Sequence, residues 1–140
     1  MGRILAIDYG TQRTGIAVSD PLRIIAGALT TVETRQLEKF LADYFSKNDV
    51  DTIVLGKPVQ MNGSPSETMR YIEPLAARLR RTYPDKDVVL YDERFTSVLA
   101  HRTMIESGMG RMARRDKAVV DRISAAIILQ SYMESLSMRR

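Results

Sequence analysis

Apolar residues come in short continuous runs early in the chain and at helical spacing later, with polar or glycine-bearing turns between them. Ile4-Leu5-Ala6-Ile7 and Ile16-Ala17-Val18 are too short for helices and read as two buried strands joined by the turn over 8–15. After the Asp20-Pro21 turn, 24–32 reads as a third strand. Within 36–46, Leu37, Phe40, Leu41 and Tyr44 recur at helical spacing. Thr52-Ile53-Val54-Leu55 is a short buried strand that stops at Gly56-Lys57-Pro58. A loop over 60–67 follows, in which Ser64 or Ser66 can cap a helix running towards Tyr83. Pro74 falls inside that helix and is expected to kink or interrupt it unless it lies near a helix boundary, because proline lacks the N–H and crowds the carbonyl four residues back. Val88-Val89-Leu90-Tyr91 predicts a fifth strand, and 96–107 and 117–128 predict further helices. Strands joined by tight turns, then helix and strand in alternation, predict an α/β fold: a mixed five-stranded sheet with helices packed on it. No linker, repeat or low-complexity tract divides the chain, so 1–140 is expected to be a single domain.

Three of these elements end in, or carry, a carboxylate. Asp8 closes the first run and opens a hairpin that contains Gly10 and Gly15. A carboxylate at the tip of a buried strand is costly without a cation, either a metal ion or a basic side chain. An aspartate ahead of glycine can also do no more than open a turn. Asp92 and Glu93 end the fifth strand, and since side chains alternate along a strand, only one of the two can face a shared site. The other is left for solvent, a cap or an arginine. Asp121 shares a helical face with Ala125, Ile128 and Tyr132, which puts an acid on an apolar stripe. Lys117 lies one turn earlier on that stripe, and a buried Lys117–Asp121 ion pair is the competing explanation for both.

Composition narrows the chemistry. The chain has no cysteine and one histidine, His101, which excludes disulfides and thiolate metal sites and makes an imidazole zinc site implausible. The first apolar run is broken at Asp8, too early for a secretory signal, and no run approaches the ~20 residues of a membrane span; a cytoplasmic protein without membrane contact is expected. Net charge is +4, from 21 basic and 17 acidic residues, and its distribution says more than its size. Segment 108–117 holds Arg111, Arg114, Arg115 and Lys117 against a single acid, Asp116, with two glycines that argue for a loop. A basic loop leading into a carboxylate site suits a polyanion, although a charged loop can also serve solubility alone.

Taken together, these segments resemble the YqgF/RuvX family, small bacterial proteins with a ribonuclease H-like fold. The likeness spans nearly the whole chain. It rests on Ile7-Asp8-Tyr9-Gly10-Thr11 with Arg13, Gly15 and Ala17-Val18-Ser19-Asp20, and on Gly56-Lys57-Pro58 followed by Asn62-Gly63-Ser64. It also rests on Asp92-Glu93-Arg94-Phe95-Thr96-Ser97, and on Lys117 with Val120-Asp121 and Ala125-Ala126. Each piece is weak alone, and the four in order are specific. Departures at Lys57 and Arg122 bear on substrate contacts rather than on chemistry.

The resemblance implies a metal-dependent phosphodiester hydrolase, a nuclease with two Mg2+ or Mn2+ ions. Asp8, Glu93 and Asp121 would be the ligands, Asp8 bridging, and Lys117 would neutralise the scissile phosphate or tune Asp121. Glu93 rather than Asp92 is taken as the ligand on the resemblance. Three close carboxylates need cations or raised pKa values, and all-oxygen ligation selects hard ions. Arg13, Lys57, Arg111, Arg114 and Arg115 are expected to contact the nucleic acid, and Tyr9 or Phe95 to stack on bases. The resemblance carries two substrates: the 5′ end of precursor 16S ribosomal RNA, which is favoured, and four-way DNA junctions. A monomer or weak homodimer suits the former; junction resolution needs two sites acting together. A non-catalytic nucleic-acid-binding protein is a lesser alternative. A phosphotransferase is a further rival, because 8–11 also look like a first phosphate loop. Such enzymes need a second aspartate–glycine hairpin and a second lobe, for which this chain has neither the motif nor the length.

Overall fold

The computed structural model describes residues 2–57, 68–92 and 117–137, with backbone alone at 117–122 and 137. Five strands form one mixed sheet in the order β3-β2-β1-β4-β5. β1 (Arg3–Asp8), β2 (Arg13–Ser19) and β3 (Ala26–Glu33) form an antiparallel meander. β4 (Val50–Lys57) joins β1 in parallel, and β5 (Asp87–Asp92) joins β4 in parallel. A 3-10 turn over Thr34–Gln36 leads into α1 (Leu37–Lys47); α2 (Met69–Thr82) lies between β4 and β5, and α3 (Lys117–Ser137) follows β5. This is the ribonuclease H-like topology that the apolar runs and the family resemblance predict.

The two faces of the sheet bury different sets of residues, as strand alternation requires. Leu5, Ile7, Ile53, Leu55 and Val88 pack with Leu37 and Leu41 of α1 and Ile72, Leu75 and Leu79 of α2. Ile4, Ala6, Ala17 and Val54 pack with Ala125, Ile128 and Leu129 of α3. β1 is covered on both faces, which is why its sequence is a continuous apolar run rather than an alternating one.

Pro74 falls near enough to a helix boundary to be tolerated, and the start of the third strand is corrected. α2 runs through Pro74 without a break from Met69 to Thr82. Pro74 is the sixth residue of that helix, so the N–H it lacks would have met a carbonyl in the first turn, and the buried stripe Ile72, Leu75, Ala76 and Leu79 holds the rest of the helix to the sheet. The third strand starts at Ala26 rather than at Ile24. Ile24 and Ile25 belong to the β2–β3 connection, each 66% exposed, because the Asp20 carboxylate accepts hydrogen bonds from both of their backbone N–H groups, at 2.6 and 2.8 Å. Arg23, in the left-handed region at φ 60, anchors the same connection by pairing with Asp51 and donating from Nε to the Gly2 carbonyl at 3.0 Å. The expected loop over 60–67 and helix over 96–107 lie outside the described residues.

Candidate active site at the carboxyl ends of the parallel strands

Because β1, β4 and β5 are parallel, their last residues, Asp8, Lys57 and Asp92, emerge along one edge of the sheet. The faces differ. Ile4 and Ala6 pack towards α3, and the same alternation puts Asp8, half-buried, on the α3 face. On β5, Val88 and Leu90 pack with the α1–α2 cluster, whereas Tyr91 packs with α3. Asp92 therefore falls on the α1–α2 face, opposite Asp8. Lys57 follows Leu55 onto that same face and is the register partner of Asp92. Glu93 lies outside the described residues.

α3 covers the face that Asp8 shares. Asp121 stands one turn before the buried Ala125, and Lys117 is the first residue of the helix. The apolar stripe inferred for this helix is present in Ala125 and Ile128, both buried, with Tyr132 partly buried beside them. α3 is tied to the end of β5 by the hydroxyls of Tyr91 and Ser131, 2.6 Å apart, and by an edge-on contact between the rings of Tyr91 and Tyr132. Of the three proposed ligands, Asp8 alone has a described side chain. Among the described residues no three acids or histidines are grouped as a metal ion would require.

The β1–β2 hairpin that holds Asp8 is built from short contacts. Asp8 pairs with Gly15 across the antiparallel ladder. Gly10 has to be glycine: a Cβ there would lie 2.3 Å from the carbonyl oxygen of Arg13. Thr34, in the 3-10 turn, donates its hydroxyl proton to the Gly10 carbonyl at 2.5 Å, and its backbone N–H reaches the Gln12 carbonyl at 3.0 Å. With that proton committed, the buried Thr14 hydroxyl is the donor in its 2.9 Å bond to Thr34 Oγ. Thr34 thus fixes the hairpin from the far side of the meander. Nothing local in the sequence marks Thr34 beyond its place shortly after Thr30 and Thr31.

The candidate nucleic-acid contacts separate into groups. Arg13 opens β2 opposite Glu33 and lines a cavity of about 380 Å³ with Thr11, Gln12, Glu33 and Arg35. Tyr9 is partly buried against the α1–α2 core, with its ring centroid 6.3 Å from that of Tyr71. It therefore belongs to the face opposite Asp8 and is not an open platform by itself. Arg111, Arg114, Arg115 and Phe95 lie outside the described residues.

Comparison with known proteins bears on the same segments. The family described as "RuvX: Holliday junction resolvase" matches residues 2–135. A Porphyromonas gingivalis protein named as a candidate pre-16S rRNA nuclease is 56% identical over 135 residues, covering 96% of this chain and 98% of its own. A Bacteroides thetaiotaomicron protein of the same name is 55% identical over the same length and coverage. Among solved structures, Thermus thermophilus RuvC in complex with a Holliday junction substrate superposes with a TM-score of 0.53 at 14% identity, covering 96% of this chain and 98% of that one. At that identity the likeness speaks for the fold.

Proposed function

This chain belongs to the YqgF/RuvX family, and from that premise we propose that it is a metal-dependent nuclease that trims the 5′ end of precursor 16S ribosomal RNA. The observation that carries the reading is the position of Asp8. It is a half-buried carboxylate at the tip of β1, the central strand of the sheet, on the face over which the helix bearing Asp121 is packed. Asp92 falls on the other face, which favours its neighbour Glu93 as the ligand from the end of β5.

The donors are carboxylate oxygens alone, a set suited to hard divalent ions. Asp8, Glu93 and Asp121 would hold Mg2+ or Mn2+, which when bound supplies activation of water and stabilisation of the leaving oxygen in phosphodiester hydrolysis. The protein's own work is placement. Thr34 and Gly10 fix the hairpin after Asp8, and Tyr91 with Ser131 holds the end of β5 to α3. Lys117, one helical turn before Asp121, neutralises the scissile phosphate or steadies Asp121 as a carboxylate. Arg13, Arg111, Arg114 and Arg115 hold the phosphates of the flanking strand and do no chemistry.

The name shared by the relatives supports RNA as the substrate. A second reading, resolution of four-way DNA junctions, is favoured by the description of the family. It requires two copies acting together. Cleavage assays with Mg2+ or Mn2+ on single-stranded RNA, structured RNA carrying the 5′ extension of 16S precursor, and a four-way DNA junction separate the two. Mg2+-dependent cutting of the RNA, abolished in Asp8→Asn, is expected. Symmetric cutting of the junction with the RNA left intact would transfer the proposal to the second reading.

A further inference from the structure

Among the described residues, Tyr71 is one of the few large side chains with aromatic or aliphatic surface open to solvent, at 39% exposure. It sits in the first turn of α2, and its ring centroid lies 6.3 Å from that of Tyr9, the residue that follows Asp8. Tyr9 is seated against the core formed with α1 and α2, so it supplies a fixed backing for a ring that is itself exposed. The guanidinium carbon of Arg70 lies 5.1 Å from the Tyr71 ring centroid, and Arg70 is exposed. An exposed aromatic face held by a second ring, with a cation over it, at the strand edge that bears the candidate catalytic aspartate, has the parts of a single-strand binding platform.

We infer that Tyr71 and Arg70 form a base-stacking subsite, backed by Tyr9, for an unpaired nucleotide adjoining the scissile phosphate. In the free protein the guanidinium covers the ring. When a nucleotide enters, its base takes that place against Tyr71, and Arg70 turns outward to the adjoining phosphate. Asp8 and Tyr9 are consecutive, so their Cα atoms are ~3.8 Å apart, on opposite sides of the sheet edge. A strand that crosses this edge presents a phosphate on the Asp8 side and a base on the Tyr71 side. Such a subsite selects single strands over paired stems, because a base inside a stem is stacked on both faces by its neighbours and cannot turn out to meet Tyr71. This inference deepens the nuclease reading by naming the form of substrate that the site accepts, and it rests on that reading for the role of Asp8.

The test uses a short single-stranded RNA carrying 2-aminopurine, with Mg2+ chelated so that binding is read without cleavage, beside steady-state cleavage in Mg2+. Stacking on Tyr71 quenches the probe in the wild-type chain and in Tyr71→Phe. In Tyr71→Ala the quench disappears, binding weakens by about 5- to 150-fold, and KM rises correspondingly with kcat little changed. Arg70→Ala keeps the quench and lowers the slope of log binding constant against log salt by ~0.7. Absence of quenching in the wild type, or binding and KM in Tyr71→Ala equal to those of a Tyr71→Phe control of the same melting temperature, overturns the subsite. A wild-type chain that quenches the probe but cuts no nucleic acid leaves the subsite standing and removes the nuclease reading instead.

Discussion

Asp8 and Asp92 end two parallel strands on the same edge of the sheet, with β4 between them, yet alternation sends them to opposite faces. Only Asp8 shares the face covered by α3. Two acids at the ends of parallel strands therefore do not face one site, and the acid after Asp92 becomes the partner to test. Glu93→Gln is expected to cost far more activity than Asp92→Asn, measured as kcat on a fixed RNA substrate. Asp8→Asn should nearly abolish turnover while the chain stays folded, and relief of like-charge repulsion would raise rather than lower its melting temperature without metal. A larger loss in Asp92→Asn than in Glu93→Gln would mean that the ligand from β5 comes from the other face.

Thr34 is the second place where a single change should reach the site from a distance. Thr34→Val keeps the shape of the side chain but removes the hydroxyl bonded to Gly10 and Thr14, leaving the buried Thr14 donor unpaired. A loss of about 1–3 kcal/mol in unfolding free energy is expected from denaturant titration, with activity reduced because the hairpin beside Asp8 loosens. Thr34→Ser retains the hydroxyl and should recover most of both. Equal stability in Thr34→Val and the wild type would show that the hairpin is held by its ladder and by Gly10 alone.

Much of the sheet can be read directly from the chain, because β1, β2, β4 and β5 each carry a short apolar run bounded by a turn, whereas the edge strand β3 buries no residue and is the least marked. Strand ends are less legible. Ile24 and Ile25 look like strand residues by hydropathy, but the local hydrogen bonds that their N–H groups donate to the Asp20 carboxylate claim the backbone first. Pro74 looks like a break, yet tertiary packing of its neighbours outweighs one missing hydrogen bond near a helix start. The choice between Asp92 and Glu93 depends on which face of β5 meets α3, a property of the assembled sheet. Thr34 and Ser131 act across separations of 24 and 40 residues, on Gly10 and Tyr91 respectively, so no local pattern marks them.

The Tyr91–Ser131 hydrogen bond couples the end of β5 to α3 and suits a double-mutant cycle. Tyr91→Phe and Ser131→Ala should each cost about 0.5–1.5 kcal/mol. The double variant should cost less than their sum, because the two hydroxyls share one bond. Strict additivity would mean that each hydroxyl is satisfied elsewhere.

Asp20 gives the molecule a testable response to acid. Its carboxyl is held below the usual carboxylate range chiefly by the hydrogen bond from the Ile25 N–H, with further backbone N–H groups helping. A lowered pKa in the folded state means that the unfolded chain takes up a proton first as pH falls. The stability from this group is therefore complete above the ordinary carboxylate range and is lost as pH falls through that range and below it. Asp20→Asn should flatten the acid limb of a melting-temperature profile while leaving neutral-pH activity close to that of the wild type. An unchanged acid limb would assign the pH response to other carboxyls.

The proposed RNA substrate makes the most consequential expectation. If Arg111, Arg114 and Arg115 hold a single strand near Asp8, replacing all three should weaken binding of unrelated RNA sequences alike. The salt slope should fall by ~0.7 for each arginine that no longer meets a phosphate, because every such pairing releases condensed counterions whatever the base. Turnover at saturating substrate should suffer less, since these residues position the strand. In the host, depletion of the protein should let 16S precursors with extended 5′ ends accumulate, and expression of the Asp8→Asn chain should fail to clear them even though it still binds. Normal 5′ ends after depletion, together with symmetric cutting of four-way junctions by the purified protein, would make junctions the substrate. The same arginines would then be expected to show a salt slope nearer the ~0.9 per neutralised phosphate of duplex DNA.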